Sequence, residues 1–170
     1  MAHEREASIR LERTLRAPAW LVWSLLADTN RWDRALGFAV ATYHWRTASD
    51  GRRERIGTAH QFGRKVEWVE PPYQWVEGAF IEGVRHFTQG PLVRGGFRAD
   101  VHALDAGRTR VELRVFYAGS PALVTFLSAA LGGRIRRAMG VFLDGVERMR
   151  AGEAPELSAS DEPLMRAAHL

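Results

Sequence analysis

Six histidines without a single cysteine are what a metal site would have to be built from, and their spacing argues against one. His3 and His169 lie near the ends of the chain, while His44, His60, His86 and His102 fall in four separate strand-like segments with no paired ligand motif. No metal or other cofactor is expected. Nucleophilic catalysis has no better footing. There is no Gly-x-Ser-x-Gly elbow, Ser120 reads as a helix cap and Ser128 as a helix-surface residue. Glu67, Glu70, Glu77 and Glu82 could supply a general acid or base only if one were carried into an apolar pocket, where burial raises a carboxyl pKa towards neutrality. Strand alternation sets Glu67 against Val66 and Trp68 and so exposes it. Arg94-Gly95-Gly96 and Gly132-Gly133-Arg134 have neither the Walker spacing nor the dinucleotide fingerprint. The first reads as a strand-start turn or bulge, the second as a break in a helix.

The aromatic load says more. Six tryptophans and eight phenylalanines in a chain of 170 residues exceed what small packed strands require. Large rings line a cavity as readily as they fill a core, so both readings stand. The pocket candidates are Trp68, Trp75, Phe87, Phe97, Val101, Leu113 and Tyr117 from strands, with Met139 and Phe142 from a helix; His86 is the candidate polar group among them.

The elements that would position these side chains are legible in the periodicity. Residues 8–15 alternate, with Ile9, Leu11 and Leu15 on one face and Arg10, Glu12 and Thr14 on the other. Pro18 then opens a short helix carrying Leu21, Val22, Leu25 and Leu26 at helical spacing. Asp28-Thr29-Asn30 reads as a stop and new cap, predicting a second short helix that ends at Gly37. From there to Tyr117, Gly, Pro and Asp-Gly punctuation cuts the chain into about six or seven strands, with Gly83 and Gly95-Gly96 among the dividers. The last two alternate best: Phe97, Ala99, Val101 and Ala103 oppose Arg98, Asp100 and His102, and Val111, Leu113, Val115 and Tyr117 oppose Arg110, Glu112, Arg114 and Phe116. A sheet with one dry face needs a cover.

Residues 120–150 supply it. Val124, Leu127, Leu131, Ile135, Met139, Phe142, Val146 and Met149 recur three or four apart, with arginines largely elsewhere. Gly132-Gly133 predicts a kink or a split, each glycine costing about 1 kcal/mol relative to alanine. One long helix and one continuous antiparallel sheet predict an α+β helix-grip fold, the sheet curling round the helix to hide its dry face. Residues 1–150 are read as this domain, and 151–170, without apolar period, as a linker or tail.

Composition bounds the rest. At 46% hydrophobic and 26% charged the chain is globular, and no apolar run approaches the roughly 18 residues of a membrane span. The start lacks the order of a signal peptide, which predicts a cytoplasmic protein. Net charge is +4, and because residues 151–170 hold Glu153, Glu156, Asp161 and Glu162 against Arg166 alone, the basic excess lies in the folded part. Its arginines are scattered at alternate strand positions, which suits a solvated face and not nucleic acid.

The opening pattern, a strand followed by Ala17-Pro18 and LVWSLLAD, resembles the START-like (Bet v1-like) superfamily, which includes polyketide cyclase and aromatase homologues and lipid-transfer domains. DTNRWDRALGF (28–38), EPPYQWVEGAF (70–80), HFTQGPL (86–92) and GRTRVELRV (107–115) resemble the N-terminal START-like module of bacterial class III adenylate/guanylate cyclases. Asp28, Thr29, Asn30, Arg31 and Arg34 match that family's pattern at the second short helix, where they imply capping and pairing. The resemblance implies a sensor, and no cyclase domain is present in this chain.

The expected function is therefore a non-catalytic binding or regulatory domain. It would hold a hydrophobic or amphipathic small molecule, with an attached or partner cyclase. Two alternatives remain open: a polyketide cyclase/aromatase-like enzyme on the same fold, using a polar pocket group such as His86 or Tyr117, and a protein-interaction domain with a vestigial pocket, docking through Arg134, Arg136 and Arg137.

Overall fold

The computed structural model describes residues 4–28, 41–61 and 64–150. Strand β1 (Arg5–Leu15) buries Ile9 and Leu15 and exposes Arg10, Glu12 and Thr14, as its alternation dictates. Pro18 cannot extend the strand ladder, and with φ fixed near −69° it caps helix α1 (Ala19–Leu26), which buries Val22, Leu25 and Leu26. The second short helix predicted after it, with Thr29, Asn30, Arg31 and Arg34, lies outside the described residues, as does the predicted tail 151–170.

Seven further strands follow: β2 (Thr42–Thr47), β3 (Arg53–Gln61), β4 (Arg64–Glu70), β5 (Gln74–Val76), β6 (Phe80–Gln89), β7 (Leu92–Asp105) and β8 (Arg108–Gly119). Helix α2 (Pro121–Arg150) closes the described chain. Every pairing is antiparallel, in the order β1-β8-β7-β6-β4-β3-β2, with β5 added on β6. The curved sheet and long helix form the helix grip that the periodicity predicts.

The seven strands after β1 match the predicted six or seven, but YQWVEGAFIE is a hairpin and not one strand. Gly78, at φ 71°, and a hydrogen bond from Ala79 N–H to the Val76 carbonyl (2.9 Å) fold β5 back onto β6. Gly83 and Gly95-Gly96, by contrast, divide nothing: β6 and β7 run straight through them. They are glycine because neighbours occupy the space of a side chain. A Cβ on Gly83 would stand 2.7 Å from the Phe97 ring, and one on Gly96 2.3 Å from the Gly83 carbonyl oxygen. The predicted bulge does appear near Arg94, where the β7–β8 register shifts between Leu92 and Arg94.

Helix α2 runs unbroken across Gly132-Gly133, against the predicted split into two helices. Leu127, Ile135 and Met139 bury on both sides of the pair, and at roughly 1.5–3 kcal/mol for each large apolar side chain this outweighs the glycine penalty. The apolar stripe packs on β1 and β8 and meets α1. Val22, Leu26, Val111, Leu113, Val124, Met139, Leu143 and Val146 form its centre. Polar contacts fix the register of helix on strand: Arg13 on β1 pairs with Asp144 and with Glu147 (3.3 Å), and the Arg16 backbone N–H donates to Glu147 Oε1 (3.0 Å).

The outer face holds one surprise. Phe116, predicted wet, is buried at 6% exposure, because the guanidinium groups of Arg114 and Arg94 lie over its ring at 5.2 and 5.9 Å. Nearby, Arg98 stacks on Phe80 at 4.4 Å and pairs with Asp100 (2.7 Å) and Glu82 (3.4 Å). The hydrogen bonds that Arg98 donates to Asp100 chiefly raise its pKa above its ordinary value. Acids and arginines alternate here, as on a solvated surface. Among the described residues no helix is long and apolar enough to cross a membrane.

Candidate ligand-binding site

Directly paired residues of antiparallel strands share a face, so the register decides which side chains look towards α2. Ala7 and Gly95 both pair with Tyr117, Gly95 pairs with Arg85, Phe87 with Trp68, and Gly57 with both Trp68 and Tyr43. Glu70 and Arg55 are paired on the same side. The inner face therefore continues from the strands that α2 packs on, across β6, to an arm made of β4, β3 and β2.

Two clusters divide this face. Next to α2 lie Phe97, Val101, Leu113 and Tyr117 with Met139 and Phe142 of the helix. On the arm, Ala59, Val66 and Trp68 are buried with Tyr43 and Phe87 packed against them, and among the described residues no α2 side chain joins this cluster. The Trp68 indole meets Tyr43 edge-on (6.1 Å) and lies tilted to Phe87 (6.0 Å). Gly57 makes room for it: a Cβ there would come within 2.3 Å of the indole.

Beside Trp68 sits the one buried acid among the described residues. The Glu70 side chain has no exposed surface. Its Oε2 accepts from Trp68 Nε1 (3.0 Å), Arg85 Nε (3.1 Å) and Tyr43 OH (3.3 Å), while Arg55 Nη1 lies 3.1 Å from Oε1. The guanidinium of Arg55 lies over the Tyr43 ring at 3.9 Å and that of Arg85 over Trp68 at 4.9 Å. Two cations thus face one carboxylate. The ion pair of Arg55 with Oε1 does not meet hydrogen-bond geometry, and among the described residues that oxygen accepts no hydrogen bond.

Of the ten residues predicted to line a pocket, the structure gathers six, namely Phe97, Val101, Leu113, Tyr117, Met139 and Phe142, in the cluster under α2. Trp68 and Phe87 share the inner face but belong to the second cluster, Trp68 on the arm and Phe87 packed against it from β6. Trp75 pairs with Ile81 on that side yet is 60% exposed, because the three-residue β5 has nothing packed over it among the described residues. His86 alternates with Phe87 and is exposed on the outer face. The Tyr117 hydroxyl is shared with Ser128 (2.9 Å), which itself donates to the Val124 carbonyl (2.7 Å), so Ser128 is more than a surface residue of the helix.

Arg55, Arg85 and Tyr43 were not singled out in the sequence, and Glu70 only as one of four glutamates. A signal existed. In KVEWVE, Glu70 shares its parity with Val66 and Trp68, which places a charge on the dry face.

No protein-family model matches the chain, and the search of curated proteins gives no match. Solved structures do match it. The Zhui aromatase/cyclase from Streptomyces sp. R1128 superposes with a TM-score of 0.61 at 19% identity, over 89% of this chain and 100% of that one. Norcoclaurine synthase from Thalictrum flavum, in complex with dopamine and hydroxybenzaldehyde, gives 0.54 at 12% identity over 90% and 91%. The di-domain ARO/CYC BexL from the BE-7585A biosynthetic pathway gives 0.55 at 20% identity, over 86% of this chain and 47% of that one. At these identities the likeness establishes the Bet v1-like helix-grip fold.

Proposed function

We propose that the domain is a non-catalytic binding module. It holds a hydrophobic or amphipathic small molecule on the inner face, and as a sensor it reports occupancy to an attached or partner nucleotide cyclase. The observation that carries the binding reading is the extension of one dry sheet face beyond the strands that α2 packs on, with Trp68, Phe87 and Tyr43 continuing it over the arm. Phe97, Val101, Leu113, Tyr117, Met139 and Phe142 would form the floor under the helix. The ligand complex of norcoclaurine synthase supports a small-molecule site on this fold. The sensor role rests on the sequence resemblance to cyclase modules.

Native mass spectrometry of the protein as purified from cells tests the reading. A retained small molecule, or uptake of the neutral apolar probe N-phenyl-1-naphthylamine by the folded protein, is the expected result. A bare mass together with no probe uptake overturns it.

A second reading has one observation in its favour. Glu70 is an ionisable group buried on the inner face, and the aromatase/cyclases among the neighbours use this fold. A polyketide cyclase-like enzyme would need that carboxylate for proton transfer, but donors from Trp68, Arg85 and Tyr43 already converge on Oε2. Ligand uptake without chemical change, with the recovered molecule identical in mass to that supplied, favours the module over the enzyme.

A further inference from the structure

We propose that the hydroxyl pair of Tyr117 and Ser128 is the polar recognition point of the inner face, and that it selects a ligand carrying a hydroxyl donor, an alcohol or a phenol, over one that can only accept. This deepens the binding reading above and rests on it; it adds the polar group that the ligand carries.

The hydrogen bonds fix what the pair can offer. A serine hydroxyl has one proton, and Ser128 gives it to the Val124 carbonyl (2.7 Å). The proton between the two hydroxyls, whose oxygens are 2.9 Å apart, must then come from Tyr117. Both donors are spent within the described contacts, and lone pairs are what remain. They lie above all on the Tyr117 oxygen, because Ser128 Oγ already gives one bond and takes another. The pair therefore accepts and does not donate. An alcohol or phenol completes it. An ether, ketone or ester would set one acceptor against another and forfeit the hydrogen bond that it makes with water.

The pair is also reachable. Ser128 stands one turn after Val124 and two turns before Ile135, both buried, so α2 turns it towards the sheet, where Tyr117 is buried. Ser128 is nevertheless exposed. Gly132, one turn further on and two turns before the fully buried Met139, has nothing within 4 Å of an added Cβ among the described residues. The flank of the helix is thus open beside the hydroxyls and closed further along. On the sheet, Tyr117 pairs with Gly95, whose lack of a side chain leaves the floor bare as far as the Phe87 ring, 3.3 Å from an added Cβ. An apolar body lying over Gly95 against Phe87 and Trp68 would bring its hydroxyl to the Tyr117 oxygen.

The test displaces N-phenyl-1-naphthylamine from the folded protein with 2-naphthol and with its methyl ether, 2-methoxynaphthalene. The naphthol, although the less apolar of the two, is expected to act at a concentration about three- to tenfold lower, the worth of one neutral hydrogen bond. Ser128→Ala frees the Tyr117 proton, so the ether finds a donor and the ratio should fall to about one. Tyr117→Phe combined with Ser128→Ala removes both hydroxyls and should leave no preference for the naphthol. An ether as effective as the naphthol on the unaltered protein overturns the inference while leaving the binding module standing, and this comparison decides the matter even if a variant does not fold. So does the original ratio persisting in folded Ser128→Ala or in the folded double variant. Failure of the folded protein to bind N-phenyl-1-naphthylamine or either naphthalene overturns both readings.

Discussion

At the residue scale the decisive group is Glu70, whose charge is buried only because donors surround it. Removing it would take from two guanidinium groups, beside Trp68, the carboxylate that they share. Breaking a buried pair in this way costs about 3–5 kcal/mol, whereas removing an exposed partner costs about 1 kcal/mol or less. Glu70→Ala is therefore expected to lower the urea midpoint far more than Asp50→Ala, although the Asp50–Arg52 pair is shorter (2.6 Å against 3.1 Å). Comparable midpoints for the two variants would show the cluster to be energetically idle. Legibility at this scale was partial. Alternation placed Val66, Trp68 and Glu70 together, and hydrophobicity named the two apolar members. It had no means to name Arg55 or Arg85, because a charge on a dry face is tolerated only with partners from other strands. Trp75 shows the converse: a large ring in a strand pattern is buried only if something packs over it.

At the element scale, helix α2 and strands β6 and β7 settle what glycine means in this chain. Gly83 and Gly96 stand where a side chain would strike a neighbouring ring or carbonyl, so they mark close approach inside strands and not strand ends. Gly132 and Gly133 stand where nothing lies within 4 Å of an added Cβ. Alanine at either helix position should stabilise the protein by about 0.5–1 kcal/mol, through helix propensity and a less flexible unfolded chain. Thermal unfolding of Gly132→Ala and Gly133→Ala checks this; a lowered midpoint would show that the pair serves a bend or a contact. The unbroken helix also explains why a propensity argument failed here. A local penalty of about 1 kcal/mol per glycine is small beside the burial of the apolar stripe on either side.

For the whole molecule, the question is which surfaces matter to the fold and which are left for partners. Arg134, Arg136 and Arg137 are exposed on α2, away from the buried stripe, while Arg13 on β1 ties the same helix to the sheet through Asp144 and Glu147. Reversing the three helix charges to glutamate should leave the unfolding midpoint and probe binding within error, since exposed charges contribute little to stability. Loss of probe binding in the folded triple variant would place the ligand at the helix surface and contradict the inner-face site. Loss of a regulatory partner alone would identify that helix face as its docking surface.

Sequence by itself determined the class of architecture: a one-sided antiparallel sheet, a short helix after the first strand, and a long amphipathic helix to cover the dry face. Those features follow from periods of two and of 3.6 residues, which each segment carries locally. Tertiary structure alone decided the site. Tyr43, Arg55, Glu70 and Arg85 come from four strands, and meet only because β4 pairs with β6 beyond the stretch that the short β5 occupies, in a register that faces Trp68 with Phe87. Register is a property of paired strands and not of any one of them. A shift by a single residue would turn Arg85 to the outer face and leave Glu70 buried without it.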